Sequence, residues 1–86
     1  MEKDEKKNAE FPEFGLIASR LKELRKQKKY DSYEHIAFVL GMSRSAYWKL
    51  ESGANFEMKT LIKVCRVLEV SLEDFFKGIN LPATKK

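Results

Sequence analysis

The residues best suited to chemistry in this sequence lie close together, between Arg44 and Ser52. On a helical wheel of about 100° per residue, one face of this segment carries four candidate base-reading residues: Arg44, Ser45, Trp48 and Lys49. An arginine can donate two hydrogen bonds to O6 and N7 of guanine, lysine can bind guanine or phosphate, and serine can bond either type of base. Such a face has the chemistry needed to contact nucleic-acid bases.

A tight turn and a preceding helix must position this face. Gly41 can adopt the left-handed conformation that ends a helix, and the hydroxyl of Ser43 can cap the next one. The small Ala37 allows a second helix to cross close by. Tyr47 and Leu50 fall on the opposite side of the wheel and are expected in the core. The pattern predicts two short helices joined by a tight turn, with the second helix in a DNA major groove.

The remaining apolar spacing predicts three more helices, hence an all-α fold: a compact five-helix bundle around one core. We expect a disordered N-terminal arm at 1–10, a helix-turn-helix domain at 11–79 and a flexible tail at 80–86. The predicted helix boundaries are Pro12 to about Lys28, a second helix capped by Asp31 or Ser32, a third at 44–52, Met58 to Leu68, and a fifth from Ser71 to a terminator at Gly78. The fourth helix is apolar on most sides, so it is expected in the centre of the domain.

Composition narrows the possible functions. The chain has 86 residues, a net charge of +4 and a sequence pI of about 9.2, which suits a polyanionic partner. No apolar run is long enough to cross a bilayer, and the charged first ten residues do not resemble a signal peptide. The single cysteine excludes an internal disulfide. We therefore expect a cytoplasmic protein with no membrane contact.

Neither catalysis nor metal binding is expected. Cys65 lies on the apolar face of the fourth helix, as a buried core residue would. His35 is the only histidine and has no cluster of metal ligands near it in the sequence. No catalytic triad and no glycine-rich phosphate loop can be assembled, so we expect neither an enzyme nor a cofactor.

The stretch from Leu21 to Phe76 resembles the Cro/repressor-type helix-turn-helix family, also called XRE-like, which includes phage-repressor DNA-binding domains. The resemblance is carried by these residues: Leu21, Leu24, Arg25, Ile36, Ala37, Leu40, Gly41, Ser43, Leu50, Glu51, Ser52, Gly53, Leu61, Leu68, Ser71 and Leu72. It implies a transcriptional regulator of bacterial or phage type that binds specific double-stranded DNA sequences. It also implies base contacts from Arg44, Ser45 and Lys49, and a structural ion pair between Arg25 and Glu51.

Contacts to the DNA backbone are assigned to six residues: Tyr33, Lys28, Lys29, Ser43, Ser52 and Lys59. Tyr33 stands where the family usually has a glutamine, and its hydroxyl can still reach a phosphate. Trp48 leaves two possibilities open. It can press on a thymine methyl, a sugar or a protein partner, or it can fold back over the second helix, for example on Tyr33.

The main alternative is an antitoxin-like or other protein-interaction module in which DNA binding is secondary. Trp48 and Phe38 on the outside favour it, and Phe38 would need cover from Phe11 or from a partner chain. For a DNA-binding protein we expect a homodimer, because paired half-sites raise affinity and specificity. Its expected interface is the helix at 72–79 together with the tail.

Overall fold

The structure is a computed structural model that describes residues 11–79. It contains α1 (Pro12–Gln27), α2 (Tyr33–Leu40), α3 (Arg44–Leu50), α4 (Met58–Leu68) and α5 (Leu72–Lys77). The prediction of an all-α domain with five helices is confirmed for this part of the chain. The predicted arm at 1–10 and the tail at 80–86 lie outside the described residues.

Local sequence signals account for where the helices begin. Pro12 occupies the first turn of α1, where its missing N–H costs no hydrogen bond. The hydroxyl oxygens of Ser32, Ser43 and Ser71 cap α2, α3 and α5 by accepting from the N–H groups of His35, Ala46 and Asp74 at 3.0–3.1 Å. The start of α4, after Glu57, has no side-chain cap. Of the two caps considered for α2, Ser32 is therefore the one used.

Gly41 makes the tight turn between α2 and α3. Its φ of 76° lies in the left-handed region, and the next N–H, of Met42, donates to the carbonyl of Ala37 at 2.9 Å.

The predicted extent of the third helix was wrong by two residues. It ends at Leu50, and a turn follows through Ser52 to Gly53, whose φ is 93°.

A single core lies where the five helices meet. Its buried members include Leu21, Ile36, Ala37, Tyr47, Leu50, Leu61, Val64, Cys65, Leu68 and Phe75. Tyr47 and Leu50 turn inward from α3, as the wheel predicted. Burial of their apolar surface in this core fixes which face of α3 remains in solvent.

Three details of the fold differ from the sequence-based expectations. Met58 opens α4 with 57% of its surface exposed, so the first turn of that helix is not central. Phe75, assigned to a dimer surface, is fully buried in the core. No contact was expected of Arg20, which donates to the backbone carbonyls of Phe75 and Asp74, each at 2.8 Å, and so ties α1 to α5.

Within residues 11–79 no helix is both long and apolar enough to span a membrane.

Candidate nucleic-acid interface

The exposed face of α3 carries the four side chains that were predicted to read bases. Ser45, Trp48 and Lys49 are exposed, and the Arg44 side chain is 62% exposed in the first turn. The hydroxyl of Ser43 caps the helix and lies 3.4 Å from that of Ser45. The arrangement presents hydrogen-bond donors along one side of a short helix, a shape that fits a major groove.

A buried polar cluster holds α3 against the rest of the domain. Arg25 of α1 donates from Nε to Oε2 of Glu51 at 2.6 Å and from a terminal amino group to Oε1 at 3.3 Å. Its other amino group donates to the Tyr30 carbonyl at 2.8 Å, and the Tyr47 hydroxyl donates to Oε2 of Glu51 at 2.6 Å. The side chains of Arg25 and Glu51 are only 4% and 1% exposed. The cluster therefore links α1, the loop before α2, the middle of α3 and the residue that ends α3.

The protonation states of this cluster follow from its geometry. The hydrogen bond to Glu51 raises the pKa of Arg25, which keeps its positive charge. Burial raises the pKa of Tyr47 far above its ordinary value, and the hydrogen bond to Glu51 adds to the effect. Tyr47 is therefore a neutral donor, and the cluster contains one cation and one carboxylate acceptor.

The loop between α1 and α2 contains a residue with a left-handed backbone conformation. Lys29 has a φ of 70°, which is uncommon for a residue with a side chain. The Tyr30 N–H donates to the carbonyl of Arg25 at 3.0 Å, which closes the loop directly beside the polar cluster. This closure places the Tyr30 carbonyl where it accepts a hydrogen bond from Arg25.

Tyr33, the first residue of α2, connects the buried cluster to the exposed face. The centroid of its ring lies 4.9 Å from Cζ of Arg25 and 5.7 Å from Cζ of Arg44. Its ring also packs on that of Tyr47, with 6.0 Å between centroids. Tyr33, which was a possible stacking partner of Trp48, thus contacts three other side chains, those of Arg25, Arg44 and Tyr47. Trp48 retains 37% exposure.

Glu34 is a member of this site that the sequence analysis did not identify. Its Oε2 lies 3.9 Å from Nε of Arg44, and both side chains are exposed. A cavity of about 300 Å³ opens beside the pair, lined by Arg25, Asp31, Ser32, Tyr33, Glu34 and Arg44. The sequence held a weak signal for the contact, since Glu34 and Arg44 both occupy first turns of adjacent helices in the motif.

The candidate backbone contacts are spread around α3. Lys28 and Lys29 are exposed in the loop before α2, and Lys59 is exposed in the first turn of α4. The Ser52 hydroxyl donates to the carbonyl of Lys49 at 2.7 Å, so its proton is already engaged. The Ser43 hydroxyl accepts from the N–H of Ala46, and either it or the Ser45 hydroxyl 3.4 Å away can be the donor in the contact between them.

Phe38 projects from α2 with 84% of its surface exposed. Phe11 packs on Phe14, with 5.7 Å between ring centroids, and therefore does not cover Phe38 as had been considered.

The ring of His35 lies 4.7 Å from that of Tyr30. Between residues 11 and 79 there is no group of three or more His, Cys, Asp or Glu side chains placed to hold a metal ion.

Comparison with known proteins identifies the class to which this arrangement belongs. A family model described as helix-turn-helix matches residues 21–75, so the chain belongs to the helix-turn-helix family. The match runs from the middle of α1 into α5. It confirms the resemblance seen in the sequence.

Two curated relatives come from Bacillus subtilis, strain 168. The chain is 39% identical over 64 residues to the uncharacterized HTH-type transcriptional regulator YqaE, which covers 73% of this chain and 54% of the relative. It is 39% identical over 66 residues to the SPbeta prophage-derived uncharacterized HTH-type transcriptional regulator YonR, covering 76% and 60%. The chain thus spans little more than half the length of these relatives. No solved structure matches it significantly.

Proposed function

We propose that this protein is a sequence-specific, double-stranded DNA-binding transcriptional regulator of bacterial or phage type, which contacts bases in the major groove through α3. The observation that carries the proposal is the exposed row of donors on a helix whose opposite side is anchored by Tyr47 and Leu50. Family membership and the printed names of both relatives support it. They do not favour the alternative of an antitoxin-like or other protein-interaction module.

In this proposal the contacts divide by role. Arg44, Ser45, Trp48 and Lys49 contact base edges. The sugar-phosphate backbone is contacted by Tyr33, Lys28, Lys29, Ser43 and Lys59, which set the position of α3 in the groove. Ser52 joins them only by giving up its hydrogen bond to the Lys49 carbonyl. The Arg25–Glu51 pair contacts no DNA and maintains the angle of α3. Such a protein acts by occupying a DNA site, without catalysis, in the cytoplasm where bacterial DNA resides.

We further propose that the chain binds DNA as a homodimer. One short helix reads only a few base pairs, and two copies on half-sites about 34 Å apart would enter successive major grooves. Leu72 is 38% exposed at the start of α5, and Phe76 and Ile79 are partly buried nearby. These residues are the described part of the proposed interface.

Selection of bound duplexes from a random pool tests the proposal directly. We expect a recurring motif, with an affinity that falls steeply as salt increases because bound phosphates release counterions. The selected site should bind at least about a thousandfold more tightly than random DNA at the same salt concentration. Recovery of random sequences, or an affinity that is insensitive to salt, would contradict the proposal.

A further inference from the structure

An apolar groove lies between α1, the loop after α3, the start of α4, and α5. Its volume is about 230 Å³, and residues 54–56 of the loop form one side. Asn55 is the one polar residue among those that line it. Six lining residues have large apolar side chains: Phe14, Ile17, Phe56, Met58, Leu61 and Phe76. Apolar surface gathered in this way usually marks a contact with another apolar group.

The groove reaches from the surface of the domain to its core. Met58 at the rim is 57% exposed, and Phe14 and Phe76 are half-buried, whereas Leu61 is only 2% exposed. An apolar cavity of about 150 Å³ accepts a benzene-sized group. This groove therefore has room for one leucine side chain and part of a neighbouring residue.

The chain leaves α5 close to this groove, at a point that Arg20 fixes. The guanidinium of Arg20 donates to two backbone carbonyls of α5, each at 2.8 Å. A Cβ at Gly78 would collide with Cζ of Arg20, so only glycine lets the guanidinium lie against the backbone there. The Ile79 N–H then donates to the carbonyl of Phe76 at 3.1 Å, which closes a turn. Arg20 thus holds the end of α5 against α1.

The segment that follows Ile79 is long enough to enter the groove. Ile17, which lines the groove, lies about one helical turn before Arg20 on α1, and such a turn is about 5.4 Å long. Two residues of extended chain span up to about 7 Å. Leu81 is the second residue after Ile79 and the first with a large apolar side chain. Pro82 restricts Leu81 to extended backbone conformations, so docking costs less conformational freedom.

We propose that the segment after Ile79 docks in this groove of its own chain, with Leu81 as the side chain that fills it. Transfer of the leucine from water to the apolar groove favours the docked state. Because residues 54–56 form one side of the groove, the docked segment contacts the loop that follows α3. Leu72 does not line the groove and stays available to the second copy proposed above. The docked segment would replace the flexible tail that the sequence predicted at 80–86.

Nuclear magnetic resonance of the full chain tests the contact directly. In leucine-labelled protein at a concentration where it is monomeric, the Leu81 methyl groups should show nuclear Overhauser contacts to the rings of Phe14 and Phe76. Leu81→Ser identifies these signals by removing them. Gly78→Ala should push the guanidinium of Arg20 aside and weaken the same contacts while leaving the helical content unchanged.

Thermal unfolding of matched variants provides a second measurement. Leu81→Ser should lower the melting temperature by roughly 5–10 °C, and Leu81→Met, which keeps an apolar side chain, by much less. Combined with Met58→Ser at the rim, Leu81→Ser should cost less than the sum of the two changes, because both remove the same contact. Combined with Phe38→Ser, which changes an exposed side chain on α2, it should be additive.

Three results would overturn the proposal. Absence of contacts between Leu81 and the rings, with equal melting temperatures for Leu81→Ser and Leu81→Met, would show that the segment does not dock. Additivity of Leu81→Ser and Met58→Ser would place Leu81 outside this groove. Contacts seen only between differently labelled chains in a mixed sample would show that a second copy fills the groove instead.

Discussion

Arg44 is the residue on which base recognition is expected to depend most. Its first-turn position in α3 places it at the end of the helix that reaches deepest into the groove. We predict that Arg44→Ala loses about 1–3 kcal/mol of specific binding and relaxes preference at one base pair. The control is Arg66→Ala, which removes an exposed arginine from the last turn of α4. Quantitative binding to a library of single-base variants measures both effects, and an unchanged preference profile would show that Arg44 does not contact a base.

Tyr47 makes stability depend on pH in the alkaline range. Its pKa is raised in the folded state by burial, whereas in the unfolded chain it loses its proton from about pH 10. Above that pH the unfolded state binds fewer protons, so stability is complete below pH 10 and falls as the pH rises, by about 1.4 kcal/mol per unit for this group. Chemical denaturation from pH 8 to 11 should show a steeper loss in the wild type than in Tyr47→Phe. Equal slopes would exclude this origin.

At the scale of the elements, the polar cluster holds α1 and α3 together. Removing either Arg25 or Glu51 leaves the other charge buried without its partner, which is expected to cost about 3–5 kcal/mol. Both alanine variants should therefore melt at lower temperatures, and the double variant should lose less than the sum of the two. A double-mutant cycle without coupling energy would refute the pair. Loss of DNA affinity with unchanged stability would instead make Arg25 a phosphate contact.

The turn between α2 and α3 can be tested with two glycines that differ only in backbone conformation. A Cβ added at Gly41 or at Gly15 would meet no atom within 4 Å, but only Gly41 has a positive φ. Gly41→Ala should destabilise the fold by about 1–2 kcal/mol through backbone strain. Gly15→Ala, inside α1, should stabilise it by up to about 1 kcal/mol. Urea unfolding measures both, and two changes of the same sign would contradict the argument.

The helices were predictable because their signals are local. Serine caps, a glycine turn and apolar spacing each act over a few residues, and Ser32, Ser43 and Ser71 all cap as such signals require. Contacts between elements had weak local signals or none, and the Arg25–Glu51 pair was expected only from the resemblance to the family. The role of Arg20 depends on carbonyls more than fifty residues away, and the approach of Glu34 to Arg44 depends on how two helices cross. The end of α3 was misplaced because the N–H groups of Glu51 and Ser52 donate to carbonyls three residues back, at Trp48 and Lys49, as in a turn rather than an α-helix.

At the scale of the whole molecule, the apolar surface left in solvent decides where a second copy can bind. With Phe75 buried, the described part of α5 offers Leu72 at 38% exposure, whereas Phe38 on α2 is 84% exposed. We predict that Leu72→Ser weakens self-association and lowers affinity for a palindromic site while leaving single half-site binding intact. Sedimentation and titration with one or two half-sites provide the measurements.

Phe38→Ser is the matched control for that prediction, because it removes a more exposed apolar side chain from a different helix. It should leave both assembly and two-site affinity unchanged. If Phe38→Ser abolishes dimers and Leu72→Ser does not, the interface lies on α2. A strict monomer that binds one chain per palindromic site would contradict the dimer altogether.

The only cysteine of the chain gives the protein an internal reporter of its own opening. Cys65 lies in the core with 3% of its surface exposed, and burial raises the pKa of its thiol. Alkylating reagents attack the thiolate, so the folded protein is protected twice, by steric exclusion and by protonation. The rate of labelling therefore measures how often the core opens and exposes the thiol. A DNA duplex that binds only the folded state must slow that rate in proportion to its occupancy, which makes a single sulfur atom a gauge of binding that requires no dye.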